Sequence, residues 1–172
     1  MKRLTVTLLV LFIAGCVATP KGVTAVAGFD LDRYLGTWYE IARLDHRFER
    51  GLSKVSASYS KRSDGGIDVV NRGFNSSTSS WKEANGRAYP VGEPGDAALK
   101  VTFFWPFYAG YNVIELDHQG YQYAMVCGPD RSYLWLLSRQ QHLDKAIVER
   151  MVARAKELGF KTDGLIFVEH GS

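Results

Sequence analysis

The sequence predicts an all-β domain: an eight-stranded up-and-down antiparallel barrel followed by one C-terminal amphipathic helix. Three observations predict it. Short runs rich in β-branched and aromatic residues recur at the spacing of a barrel or sandwich. Turn clusters such as Ser63-Asp64-Gly65-Gly66, Asp117-His118-Gln119-Gly120 and Gly128-Pro129-Asp130-Arg131 separate them, so neighbouring strands join as hairpins and not as crossovers. After Arg139 the apolar period changes from that of a strand to that of a helix. Closing the sheet removes the two edges that an open sheet would have to protect.

In chain order, Met1-Lys2-Arg3, the apolar run Leu4 to Ile13 and the small residues Ala14-Gly15 follow the charged, greasy, small order of a secretory signal. The run is shorter than the roughly 20 residues a membrane helix needs. Residues 16–29 are small and polar with one proline, the composition of a tether, so the domain is expected to occupy 30–172. The eight strands are expected near Trp38–Arg43, Ser53–Lys61, Ile67–Phe74, Trp81–Ala88, Ala98–Phe103, Tyr111–Leu116, Tyr121–Cys127 and Tyr133–Arg139. Leu143, Ile147, Met151, Val152 and Ala155 then share one side of a helix, with Asp144 as its cap and Gly159 as its stop. A last short strand spans Leu165–Glu169.

Composition narrows the function. With 172 residues, 46% hydrophobic and 13% aromatic, the chain suits one well-filled domain. Of 21 basic residues, Lys2 and Arg3 lie in the signal, leaving 19 against 18 acidic ones, so no nucleic-acid footprint is present. No G-x-S-x-G elbow, P-loop or dinucleotide fingerprint appears, since Gly51-Leu52-Ser53-Lys54-Val55 lacks the second glycine. His46, His118, His142 and His170 are scattered singly, without metal-ligand spacing. Neither a catalytic residue, a cofactor nor a metal is expected. Apart from Cys16 the only cysteine is Cys127, read as a small hydrophobe in a strand, so no internal disulfide is expected.

Two resemblances add to this reading. Ile13-Ala14-Gly15-Cys16 resembles the lipobox of bacterial lipoproteins, which implies cleavage after residue 15, lipidation of Cys16 and, with Val17 rather than Asp next, an outer-membrane address. Gly36-Thr37-Trp38-Tyr39 and Trp135-Leu136-Leu137-Ser138-Arg139 resemble the first and last strand elements of lipocalins. Arg47-Phe48-Glu49-Arg50-Gly51, Asp64-Gly65-Gly66-Ile67, Tyr89-Pro90-Val91-Gly92, Tyr111-Asn112-Val113-Ile114 and Val126-Cys127-Gly128-Pro129-Asp130 are similar to the bacterial outer-membrane subgroup of that family. Where many lipocalins carry T-D-Y before the seventh strand, this chain has Gly120-Tyr121-Gln122-Tyr123, which weakens any inference to receptor docking.

The resemblance implies that Trp38 and Arg139 close the bottom of the barrel, and strand counting agrees. Seven hairpins bring the start of the first strand and the end of the eighth to one end, where a guanidinium can lie over an indole. The other end is the mouth, with loops 44–52, 75–80, 104–110 and 128–132. The third crowds Phe103, Phe104, Trp105, Phe107 and Tyr108 around Pro106, either as a rim for greasy ligand or membrane, or as a local plug. Anchoring Arg139 inward and alternating assigns Ala57, Tyr59, Val69, Asn71, Val101, Phe103, Tyr111, Val113, Tyr133 and Trp135 to a ligand-binding interior, with Ala124, Val126 and Leu137 beside them. Glu115 falls on the same parity and would need a partner such as Arg139.

Together these point to a lipid-anchored carrier or store for a fatty acid or lysophospholipid at the bacterial outer membrane, its barrel facing the periplasm, with a homodimer left open. An enzyme acting on a lipid or small apolar substrate, and a filled-barrel structural lipoprotein of the envelope, are the alternatives.

Overall fold

A computed structural model describes residues 17–171; the proposed lipidation site, Cys16, lies outside the described residues. Eight strands form in the expected order: β1 (Gly36–Leu44), β2 (Leu52–Lys61), β3 (Ile67–Asn75), β4 (Ser80–Pro90), β5 (Ala98–Phe104), β6 (Phe107–Leu116), β7 (Tyr123–Cys127) and β8 (Leu134–Ser138). Each pairs antiparallel with the next, and β1 pairs with both β2 and β8, which closes the barrel. β7 begins later than expected. Tyr121 adopts φ +53°, and its amide is donated to the Asp117 carbonyl at 2.7 Å while the Asp117 carboxylate accepts from Gly120 and Gln122. That sharp turn consumes the first two residues assigned to the strand.

Two N-terminal features escape the periodicity argument. Helix α1 (Leu31–Tyr34) is one turn long, capped by the Asp30 carboxylate accepting from the Arg33 amide. The segment before it, expected as a tether, lies against the barrel. Val26 donates its amide to the Val113 carbonyl and accepts from Ala97, and Phe29 donates to Gly95. Ala25, Val26 and Phe29 pack on the closed end, Val23 is buried on the outer wall, and the Thr19 hydroxyl meets the Asn112 side chain at 3.1 Å. Gly110 permits this close approach, because a Cβ there would stand 2.9 Å from the Val17 carbonyl oxygen.

The outer wall carries the second core. Helix α2 (Lys145–Glu157) starts at Asp144, whose carboxylate accepts from the Ala146 amide at 2.8 Å. Its Met151 and Ala155 are buried against Ile114, Met125, Cys127, Leu134 and Leu136, the outward residues of β6, β7 and β8. Burial pushes the Cys127 thiol up to about 12, which keeps it protonated. A final strand β9 (Leu165–Phe167) pairs antiparallel with β1 from Ala42 to Leu44, covering the edge that β1 exposes once its ladder with β2 ends at Tyr39.

Two ladder slips decide which charges face inward. The β6–β7 ladder shifts between Val113 and Glu115, so Glu115 does not point into the barrel as its alternation suggested. It stands 3.6 Å from Arg150 of α2, on the outer wall, and not beside Arg139. The β1–β8 ladder shifts between Glu40 and Ala42, which turns Arg43 to the interior opposite Trp135.

Candidate functional site

At the closed end the Arg139 guanidinium carbon sits 3.9 Å from the centre of the Trp38 ring. Its nitrogens donate to the carbonyls of Thr37, Arg33, Tyr34 and Tyr121, tying β1, α1 and the β6–β7 turn to β8. The Trp38 indole nitrogen donates to the Tyr34 carbonyl at 2.8 Å. Above them lies a floor of phenols. The Tyr111 hydroxyl joins those of Tyr34 at 2.7 Å and Tyr59 at 2.9 Å, so three buried polar groups satisfy one another. Burial raises all three phenol pKa values well above the ordinary range, and all three remain neutral.

The residues assigned to the interior by alternation divide into two layers. Tyr59, Val69 and Val113 are fully packed in the lower barrel with Leu99, Ala124, Val126 and Leu137. Ala57, Val101, Phe103, Tyr111 and Trp135 line the same core but stay only partly buried, as do Asn71 and Tyr133. Asn71 also contributes a buried side-chain oxygen that has no hydrogen-bond partner among the described residues. The lower layer is therefore solid, and the upper layer has wall surface left to cover.

On the mouth side one wall is charged, and simple alternation misses it. Arg43, almost fully buried, contacts the Glu40 carboxyl at 2.6 Å and donates to the carbonyls of Glu49 and Leu52, fastening the β1–β2 loop across the barrel. Glu49 accepts from the Trp135 indole at 3.1 Å and lies 3.1 Å from the His46 ring. Burial, reinforced by the nearby Glu49 charge, holds the Glu40 carboxyl well above the usual carboxylate range. Burial alone would raise Glu49 as well, but the facing His46 ring and the neighbouring Glu40 carboxyl outweigh it and keep Glu49 below that range. The His46 ring lies 5.2 Å from Trp135 and 5.8 Å from Tyr133, so the charged cluster is flanked by aromatics. A signal was present in the sequence: Glu40 and Arg43 are two charges in one apolar strand at a spacing that regular alternation cannot place on one face.

The aromatic loop does not fold over itself as a plug. Phe104, Trp105 and Phe107 are each at least 75% exposed at the tip of the β5–β6 hairpin. Among the described residues no cluster of His, Cys, Asp and Glu has metal-binding geometry.

Comparison with known proteins gives the same architecture. A sequence profile of the lipocalin-like domain matches residues 29–170. Outer membrane lipoprotein Blc of Citrobacter freundii is 57% identical over 150 residues, covering 87% of this chain and 84% of that one. The Vibrio cholerae protein of the same name is 52% identical over 155 residues, covering 90% and 91%. Insecticyanin from the tobacco hornworm Manduca sexta superposes with a TM-score of 0.72 over 90% of this chain and 88% of that one; at 19% identity this is a likeness of fold.

Proposed function

The chain belongs to the lipocalin family, and from that membership we propose that it is a carrier, not an enzyme, which holds a fatty acid or lysophospholipid in its barrel at the bacterial outer membrane. The observation that carries this reading is the grading of the interior along its axis. A self-satisfied tyrosine floor closes the bottom, a partly covered wall of Ala57, Val101, Phe103 and Trp135 stands above it, and above that floor the ionisable side chains of Arg43, His46 and Glu49 lie toward the mouth. An amphiphile fits such a gradient with its chain down and its head up, since apolar burial contributes about 25 cal/mol per Å² while a polar head sunk among apolar side chains is penalised. Cys16 is the lipid-bearing residue in this reading, and the outer-membrane lipoprotein names of the relatives support the same address.

Mass spectrometry of lipid extracted from the purified protein tests the proposal. A single-chain acyl lipid at near-equimolar amount is expected. An extract without lipid, together with an unchanged Trp135 fluorescence on titration with fatty acid, would leave the barrel a structural body.

A further inference from the structure

We propose that the barrel mouth docks onto a lipid leaflet through a rim of aromatic side chains, so that ligand passes between bilayer and barrel without crossing water. The inference rests on the lipid-anchor reading of Cys16 and adds an orientation to it. Seven large hydrophobic side chains are exposed among the described residues, and five of them are at the mouth: Phe48 (60%), Trp81 (47%), Phe104 (75%), Trp105 (82%) and Phe107 (75%). They come from three separate hairpins, which makes a rim and not a single greasy loop. Two carry cations over their faces, Arg47 at 4.9 Å from the Phe48 ring and Arg72 at 4.2 Å from that of Trp81. Aromatic rings with adjacent guanidinium groups suit the headgroup region, where apolar surface and phosphate oxygens meet.

The path of the N-terminal segment fixes which surface the rim meets. From the closed end at Phe29 the chain runs back along the outer wall to Thr19 beside Asn112 and Val17 beside Gly110, heading toward the Phe104–Phe107 hairpin. Val17 is the first described residue, and Gly110, which it touches, is three strand residues from Phe107, about 10 Å. The described chain thus ends on the aromatic-tip side of the barrel, and an anchor on the residue before Val17 would hold that side to the leaflet. The wall is open on that side too. The β4–β5 ladder stops at Arg87–Thr102 although β4 continues to Ser80, and a cleft of about 400 Å³ lies there, bounded by Asn85, Gly86, Phe103, Trp105 and Tyr108. Phe103 packs directly over Gly86, where a Cβ would stand 2.8 Å from the ring.

The test uses the full, acylated protein in phosphatidylethanolamine and phosphatidylglycerol vesicles containing lipid brominated near the headgroup end of its chains. The protein should float with the vesicles, and its indole fluorescence should be quenched, with Trp105→Phe losing roughly half of that quenching, as expected for an indole at the interface. Flotation with Trp105 unquenched overturns the docking and leaves the anchor standing; if sedimentation then shows a dimer, a second copy covers the rim. Failure to float, with Cys16 unmodified by mass, overturns the anchor reading and the docking with it.

Discussion

Arg43 and Glu40 meet at 2.6 Å inside the barrel because β1 slips by one residue between Glu40 and Ala42. Residues three apart in a regular strand face opposite ways, so without the slip one of the two would lie on the outer wall. The bulge is what brings an i, i+3 pair into one buried contact and lets Arg43 reach the Glu49 and Leu52 carbonyls. Arg43→Leu leaves the buried Glu49 carboxylate, 4.0 Å from the guanidinium, without its cation and the two carbonyls without their donor, so it should destabilise the fold by about 3–5 kcal/mol in urea unfolding.

Glu40 makes stability depend on pH with a definite sign. Its folded pKa lies above the ordinary value of 4.5, chiefly through burial. Above pH 4.5 the unfolded chain gives up this proton while the folded chain keeps it, so Glu40's contribution falls as pH rises from 4.5 through the folded value. Glu49, held low, acts oppositely: its contribution is present above 4.5 and is lost as pH drops below that value. Glu40→Gln should flatten the fall above pH 4.5, measured as the urea midpoint between pH 5 and 8 (chosen as roughly the usual stability window). An unchanged slope would mean that Glu40 titrates normally.

Trp38 and Arg139 should behave as one unit. Truncating Trp38 to Ala is expected to cost about 3–5 kcal/mol as a buried aromatic, and the ring contact with Arg139 should appear as a coupling of about 0.5–2 kcal/mol in a double-mutant cycle with Arg139→Ala. Strict additivity would show that the contact at 3.9 Å contributes nothing.

Blocking the barrel should have opposite effects in its two layers. Val113 is fully buried, so Val113→Trp overpacks a solid core and should lower stability by at least about 1–3 kcal/mol. Ala57 is only partly covered, so Ala57→Trp should keep the urea midpoint within about 1 kcal/mol while abolishing the fluorescence response to long-chain fatty acid. Binding that survives Ala57→Trp would move the ligand away from this wall.

Cys16→Ser should release the protein from the membrane fraction, since acyl chains contribute about 0.8 kcal/mol per buried CH₂ and two or more anchor firmly. Retention of the serine variant would locate the attachment elsewhere.

The fold was legible because the strand and helix periods, the turn residues and Asp144 each act locally. The stacking of Trp38 with Arg139 was legible because the family resemblance points to this pair and hairpin counting brings both residues to one end. Alternation failed where a ladder slips. Strict alternation puts Glu115 inside the barrel, yet it faces Arg150, and it gives no inward place to Arg43, which faces Trp135. A bulge leaves little trace in composition, because the extra residue is accommodated by backbone geometry and not by a special side chain. Helix α1 and the packing of residues 17–29 were illegible for another reason: segments that short are placed by what they touch, here Gly95, Ala97 and Val113.

In the proposed carrier, the three linked tyrosine hydroxyls also serve as a stop gauge for chain length. They are held by one another and by α1 beneath, so the floor they form cannot sink to admit a longer tail. Affinity across a homologous series of fatty acids should therefore climb roughly fourfold per methylene, at about 0.8 kcal/mol each, until the terminal methyl touches the phenol layer, and then level off. Beyond that length each added carbon can only push the headgroup upward past His46 and Glu49, so the plateau marks where hydrocarbon length begins to trade against registry at the charged wall.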